Sequence, residues 1–84
     1  MRKEIKPIRH AFKISSDEIV LELWYDPNDW GWNCKRISGE IGFAGASGGR
    51  YESMDDYIKY CVKEATYSYH FHRSGYKAAK EIVK

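Results

Sequence analysis

The chain of 84 residues has little of what marks exported, membrane-spanning or metal-dependent proteins. No apolar run approaches the roughly 20 residues that span a bilayer. The basic start, Met1-Arg2-Lys3-Glu4, leads into no apolar stretch typical of a secretory signal. Its two cysteines, Cys34 and Cys61, form no CxxC pair and have no neighbouring cluster with metal-ligand spacing. From these absences we expect a cytoplasmic protein with reduced, buried cysteines, no membrane partner, no metal and no cofactor.

The chain does contain enough apolar surface for one modest core. A hydrophobic fraction of 43%, with 15% aromatic residues, is too high for a disordered chain, and the length predicts a single domain over 1–84. Charge is segregated: residues 14–33 carry five carboxylates and no cation, whereas residues 1–13 and 57–84 are both basic. Basic ends permit anion binding, but they are equally consistent with packing against the acidic segment.

Alternating apolar residues predict an antiparallel sheet in the first half of the chain. Pro7 indicates either an edge strand or the start of a strand, because proline cannot donate to a ladder. Asp26-Pro27-Asn28-Asp29 has the chemistry of a type I turn. The inward parity changes after Cys34, which predicts a bulge or turn between Arg36 and Gly39. The predicted strands span 8–14, 19–25, 30 to about 37 and, as a short fourth strand, 41–44.

The second half of the chain predicts one long helix. Ser53 is the expected N-cap, and Asp55 and Asp56 suit the positive end of the helix dipole. At 100° per residue the apolar stripe contains Met54, Ile58, Cys61, Val62, Ala65, Tyr69 and His72. After Ser74-Gly75 we expect a short last helix over 76–83. The fold class is therefore α+β: a three- to four-stranded antiparallel sheet followed by one long helix packed on one face.

One short string near the end of the helix bears on catalysis. His70-Phe71-His72, with Tyr76 downstream, resembles the His-hydrophobic-His motif of rolling-circle replication and relaxase-type nucleases. In that family the two histidines hold a divalent metal and a separate tyrosine attacks the phosphodiester, so the resemblance implies metal-dependent nicking. Within a helix, however, positions i and i+2 diverge by about 200°. We expect His72 to end the core stripe and His70 to be solvated, in a protein that is not an enzyme.

A cysteine nucleophile would need a histidine within hydrogen-bond reach. Cys61 and His72 share a face of the predicted helix, but eleven residues at 1.5 Å each separate them by about 16 Å. Cys34 and His10, if they lie on neighbouring strands, remain geometrically open as a pair. The sequence supplies no third group to orient such a pair.

A glycine-rich segment precedes the predicted helix. Exposed amides in such a segment can cradle an anion, but the chain lacks the GxxxxGK[ST] pattern, and Asp55 and Asp56 already occupy the helix start. A mobile loop is the plainer interpretation. The alternative is an oligomeric nucleotide-binding protein whose anion site is formed by Gly45, Gly48, Gly49 and Arg50.

The most distinctive feature is a cluster of aromatic residues among cations. Trp24, Trp30 and Trp32 fall within nine residues, and neighbours in a strand point to opposite faces. Some of the cluster must therefore lie on the second sheet face or at the hairpin tip. Trp, Tyr and Arg dominate interface hot spots. The candidate partner-binding residues are Trp30, Trp32, Lys35, Arg36, Tyr60, Lys63, Tyr67 and His70.

These residues favour a small non-enzymatic binding module that engages a protein partner. Many phage and mobile-element accessory proteins, including inhibitors of host defence, have this size and character. The main alternative is single-stranded or non-specific nucleic-acid binding, in which aromatic rings stack on bases and cations follow the phosphates. The carboxylates of the same hairpin and a pI of only 8.5 argue against that alternative.

Overall fold

A computed structural model describes residues 3–39 and 41–75, apart from the side chain of Ser74. Its elements are β1 (Ile5–Ile14), β2 (Asp17–Asp26), β3 (Gly31–Ser38), β4 (Gly45–Ser47) and α1 (Met54–Ser74). The strands form one antiparallel sheet in the order β1-β2-β3-β4. The predicted α+β class, with a sheet followed by one long helix, is confirmed. The short helix predicted over 76–83 lies outside the described residues.

Strand β1 lies at an edge of the described sheet and begins at Ile5, so Pro7 lies within an edge strand, the first of its two predicted positions. Ile5 lies opposite Tyr25, but the next pair is Ile8 with Leu23, so the ladder is interrupted around the proline. Proline has no N–H to contribute to a ladder, and an interrupted edge tolerates its absence.

The turn chemistry of the β2–β3 hairpin is also confirmed. The Asp29 N–H donates to the Asp26 carbonyl oxygen at 3.0 Å, and the Asn28 N–H donates to Asp26 Oδ1 at 2.9 Å. Further along the hairpin, Val20 lies opposite Ser38 and Leu21 lies opposite Arg36. The residue between those two partners, Ile37, therefore forms the predicted bulge.

The fourth strand lies at Gly45–Ser47 and not at 41–44, so that part of the prediction is wrong. The reason is the space available beside β3: a Cβ at Gly45 would clash with the Cys34 carbonyl oxygen, so only glycine permits this close approach. Ile41 and Phe43 instead pack against the edge of the core as loop residues.

The core lies between one face of the sheet and α1. Its buried side chains are Ile14, Ile19, Leu21, Leu23, Trp32, Cys34, Tyr57, Cys61, Ala65 and Tyr69. The helix contributes every fourth residue, beginning with Tyr57, which the predicted stripe omitted. His72, which the stripe included, is exposed. Both cysteines are free and buried, as expected.

Hydrogen bonds at its two ends explain this orientation of the helix. The Tyr57 hydroxyl donates to the Ala46 carbonyl oxygen at 3.1 Å, and the Tyr69 hydroxyl donates to Asp17 Oδ2 at 2.9 Å. Each tyrosine thus buries its ring and satisfies its hydroxyl at the rim of the sheet. Ser53 caps the helix as predicted, because its Oγ accepts from the Asp56 N–H at 3.3 Å.

Candidate functional site

Trp30, at the tip of the β2–β3 hairpin, has the most exposed large apolar side chain among the described residues, at 79% of its surface. Its φ is 65°, in the left-handed region that costs a non-glycine residue roughly 1–2 kcal/mol. A bulky residue in this region is an outlier that persists only when its surroundings fix it. The placement confirms that part of the tryptophan cluster lies at the hairpin tip.

A buried amide fixes the backbone on both sides of Trp30. Asn33, only 5% exposed, donates from Nδ2 to the carbonyl oxygens of Asp29 at 2.7 Å and of Gly31 at 2.9 Å. The Asn33 Oδ1 accepts from the Ser47 hydroxyl at 3.0 Å, which ties the turn to β4. The sequence did not indicate the structural role of Asn33, because a single polar residue in a strand is normally expected to face solvent.

Trp32, in contrast, is 2% exposed and belongs to the core, which removes it from the candidate partner-binding surface. It lies opposite Tyr25 on the sheet face that α1 covers, and its ring centroid is 5.2 Å from that of Tyr57. Trp24 points to the other sheet face, where it lies opposite Asn33 and is half-buried.

An open cleft of about 410 Å³ lies beside the hairpin tip, and we call it the aromatic cleft. The ring of Trp32 is 4.8 Å from that of Tyr25 at an interplanar angle of 65°, and 6.4 Å from that of Tyr51 at 84°. Trp32 therefore packs edge to face against both tyrosines and is itself buried beneath the cleft. The residues that line the cleft are Tyr25, Gly31, Trp32, Gly49, Arg50, Tyr51 and Glu52.

The candidate anion-binding residues divide between this cleft and the sheet. Gly45 lies in β4, and the Gly48 N–H donates to the Trp32 carbonyl oxygen at 2.8 Å, so that amide is used by the backbone. Gly49 and Arg50 line the aromatic cleft. The structure therefore does not present these amides as one anion cradle.

Four of the candidate residues share the outer side of α1. Together with Phe71, they fall within an arc of about 100° around the helix axis. Phe71 is 42% exposed, and its ring lies 6.1 Å from that of Tyr67. We call this surface the outer helix face; it comprises Tyr60, Lys63, Tyr67, His70 and Phe71.

The outer helix face meets the aromatic cleft through two tyrosines. The ring of Tyr60 lies 5.3 Å from that of Tyr51. Partial burial raises the pKa of both phenols, with a smaller contribution from their mutual interaction in Tyr51. Both side chains therefore stay neutral at physiological pH.

Lys35 and Arg36 lie on β3 and are not part of the outer helix face. They also point to opposite sides of the sheet, because neighbouring strand residues alternate in direction. Lys35 lies on the sheet face away from α1, where its Nζ is 3.7 Å from Glu22 Oε1. Arg9 approaches the same carboxylate, with its Nε 3.6 Å from Glu22 Oε2. Arg36 lies opposite Leu21 on the helix side. The structure thus separates residues that the sequence analysis grouped together.

Arg36 lines a second cleft, of about 400 Å³, at the far end of α1, and we call it the basic cleft. Its lining residues are Arg36, Ile41, Gly42, Tyr69, His72 and Arg73. The guanidinium of Arg36 donates to the Gly39 carbonyl oxygen. The guanidinium of Arg73 lies 3.4 Å from Asp17 Oδ2 and 4.5 Å from the centroid of the Tyr69 ring.

None of the weighed catalytic pairings comes together in the described residues. His10 lies on β1 and Cys34 lies on β3, with β2 between them. At the usual spacing of neighbouring strands, their backbones are therefore at least about 10 Å apart. The hydrogen bond with Cys61, together with burial, raises the pKa of the Cys34 thiol. His70 and His72 both lie within α1 and diverge around its axis. Among the described residues, no group of three or more His, Cys, Asp or Glu side chains is placed to hold a metal ion.

The described part of the chain contains no helix long and apolar enough to cross a membrane. Comparison with known proteins gives no match: no family model, no curated protein and no solved structure is significantly similar to this chain.

Proposed function

We propose that this protein is a small non-enzymatic binding module that engages a protein partner through Trp30 and the aromatic surface beside it. The presentation of Trp30 carries the proposal. An indole that is 79% exposed contributes little to the core, and its left-handed backbone opposes folding. Tryptophan is also the residue type most enriched among interface hot spots. A partner that buries this indole supplies the stabilisation that the fold itself lacks.

The surroundings of Trp30 support a contact larger than one side chain. Gly31, the next residue, lines the aromatic cleft, and Tyr51 connects that cleft to Tyr60 on the outer helix face. Aromatic residues are enriched at the centres of protein interfaces, and hot-spot residues cluster there.

The charges near the tip favour a protein over a nucleic acid. Asp26 and Asp29 flank the turn, and Glu52 lines the cleft, against the single guanidinium of Arg50. These carboxylates repel phosphates, whereas a protein surface can complement them. Cytoplasmic action, as by a phage or mobile-element accessory protein that inhibits host defence, belongs to this proposal and rests only on the size and character of the chain.

A comparative capture experiment tests the proposal. Immobilised wild-type protein, Trp30→Gly and the control Ile37→Ala are exposed to lysate of the native host, and the retained proteins are identified by mass spectrometry. Ile37 is a matched control because it is also a large apolar residue, 38% exposed, but it lies at the bulge of β3, at the other end of the hairpin from Trp30. We expect a protein that the wild type and the control retain and Trp30→Gly loses, with a Kd then measured on purified components.

Trp30→Gly removes the indole and relieves the positive φ, so we expect its Tm to lie within about 3 °C of the wild-type value. Retention of the same proteins by all three baits, or unfolding of Trp30→Gly, would refute the role of Trp30 as an interface anchor.

One observation favours a second candidate, nucleotide binding. The aromatic cleft places Gly49 and Arg50 beside Tyr25 and Tyr51, so a stacked base and a phosphate have adjacent positions. A thermal shift with AMP that Arg50→Gln abolishes would establish this function.

Nucleic-acid binding is tested separately, by titration of tryptophan fluorescence with a random single-stranded oligonucleotide at two salt concentrations. Quenching that weakens as the salt concentration rises is the expected signature of nucleic-acid binding.

A further inference from the structure

Strand β1 presents a ten-residue edge with which no described strand pairs. Its only neighbour in the described sheet is β2, and the register between the two is regular from Ile8 to Ile14. In an edge strand, every second residue directs its N–H and C=O groups away from the sheet. The outer side of β1 can therefore accept the backbone of another extended segment.

The helix covers β2 more completely than it covers β1. On the face toward α1, Ile8 lies opposite Leu23 and Phe12 lies opposite Ile19. Leu23 and Ile19 are fully buried, whereas Ile8 is 39% exposed and Phe12 is half-buried. The apolar face of the sheet thus extends beyond the part that the described chain covers, and a further strand with apolar residues on this side would bury it.

The charges on β1 have one sign. The strand carries three exposed cations, Lys6, Arg9 and Lys13, and no carboxylate. Its inner neighbour shows which side chains suit it: Arg9 lies opposite Glu22, with Arg9 Nε 3.6 Å from Glu22 Oε2, and Lys13 lies opposite Glu18. Strand β2 thus combines carboxylates on the side away from α1 with buried apolar residues on the side toward it.

We infer that the outer edge of β1 binds an extended segment of a protein partner in which acidic and apolar residues alternate, as they do in β2. The segment adds to the sheet as a strand beside β1. Its apolar residues continue the face toward α1, and its carboxylates lie beside the cations of β1. This surface lies on a different strand from the turn that carries Trp30, so the inference does not rest on the proposed function.

A second copy of this chain fits the edge less well. Antiparallel pairing of β1 with itself would bring Arg9 and Lys13 of both copies together on one face, and like charges across a strand pair are destabilising. Lysine on an edge strand is also a common protection against self-association. The cations that oppose a second copy favour an acidic segment, so the charge selects the kind of partner.

Synthetic peptides test the inference without a known partner. We would titrate the ¹⁵N-labelled full chain with acetyl-(Glu-Val)4-amide and, as the charge-reversed control, with acetyl-(Lys-Val)4-amide. A third peptide has the acidic sequence with N-methyl groups on two adjacent central residues, which removes one N–H donor from each of its edges. We expect saturable amide shifts along β1 with a Kd of about 0.1–1 mM for the acidic peptide, and binding at least about tenfold weaker for either control.

Hydrogen exchange distinguishes strand addition from a loose electrostatic contact. In the free protein, the β1 amides that donate to β2 should exchange slowly, and the alternate amides that point outward should exchange fast. Saturation with the acidic peptide should protect the outward set. Saturable binding without this protection would refute strand addition.

Several other outcomes overturn the inference. Equal affinity for the acidic peptide and either control removes its basis, as do shifts that map away from β1. Dimerisation of the free chain with protection of the outward amides would assign the edge to a second copy. Stronger β1 shifts with a random single-stranded oligonucleotide than with the acidic peptide would assign the basic strand to nucleic acid.

Variants test the contribution of charge and separate this inference from the proposed function. Lys6→Gln and Lys13→Gln should each weaken binding of the acidic peptide about twofold to threefold, and Lys59→Gln, at an exposed lysine on α1, is the matched control. Equal affinity of all three variants and the wild type would contradict the role of the β1 cations.

Trp30→Gly should leave peptide binding unchanged, because Trp30 lies in the turn between β2 and β3. Peptide binding without any Trp30-dependent partner retains this inference and refutes the function proposed for Trp30. Trp30-dependent capture without peptide binding refutes this inference and retains the proposed function.

Discussion

Two clefts of nearly equal volume, about 410 and 400 Å³, lie near opposite ends of α1, yet they have different standing as candidate sites. In the basic cleft, the two arginines already have roles in the fold. Arg36 holds the loop at Gly39, and Arg73 contacts both Asp17 and the Tyr69 ring. In the aromatic cleft, the neighbouring Trp30 and Glu52 have no comparable role within the described residues.

The two clefts differ in whether the fold itself explains their side chains. Arg73 and His72 also suit the negative end of the helix dipole, which gives the basic cleft a sufficient structural explanation. Trp30 is held in an unfavourable backbone conformation and remains exposed, so folding alone does not explain it. The strained, exposed residue is therefore the better indicator of function than the convergence of charge.

Substitution of Tyr57 should cause the largest loss of stability, because the Tyr57 ring packs beneath the residues that line the aromatic cleft. Its fully buried ring contacts the rings of Trp32 and Tyr51 at 5.2 and 5.0 Å. We expect Tyr57→Ala to lower the free energy of unfolding by about 3–5 kcal/mol, and Tyr57→Phe by about 1 kcal/mol through loss of the bond to Ala46. Urea denaturation measures both; equal stability of all three proteins would contradict this packing.

Asn33→Ala should have the next largest effect, and it acts on the presentation of Trp30. The variant leaves the carbonyl oxygens of Asp29 and Gly31 without their buried donor, which should cost about 1–3 kcal/mol in unfolding free energy. Partner capture should weaken even where the protein remains folded, because the turn loses its clamp. Ser47→Ala, which removes only the outer hydrogen bond, is the matched control.

Alkaline pH should destabilise the aromatic end in particular. Burial, the largest cause, raises the pKa of Tyr51, Tyr57 and Tyr60. Their folded forms retain protons that the unfolded chain releases near pH 10, so the stability they contribute is present below that pH and is lost above it. Denaturation midpoints between pH 8 and 11 measure the decline, and Tyr57→Phe should make it shallower. A steeper decline in that variant would contradict the assignment.

Arg73→Gln should have the smallest effect, although it removes an interaction between residues far apart in the chain. The side chains of Arg73 and Asp17 are 54% and 47% exposed, so we expect a loss of no more than about 1 kcal/mol. Partner capture through Trp30 should not change. Loss of partner capture with this variant would indicate that the partner binds at the basic cleft and not at Trp30.

Local chemistry accounts for what could be predicted from the sequence. The Asp26–Asp29 turn and the Ser53 cap each depend on hydrogen bonds between residues two or three positions apart. The bulge at Ile37 followed from a change of parity within one strand. The position of β4 was wrong because the approach of Gly45 to Cys34 is a contact between strands, which no local pattern encodes.

The sequence by itself determined the order of elements, the hairpin that carries Trp30 and the aromatic character of the region around it. Only the tertiary structure decided which of those aromatic residues remain at the surface. It buried Trp32 against Tyr57, and it tied Asn33, which holds the turn at Trp30, to Ser47 on β4. The physical reason is that the exposure of a strand residue depends on what packs against it, and the neighbours that bury Trp32 and anchor Asn33 lie on other elements, α1 and β4.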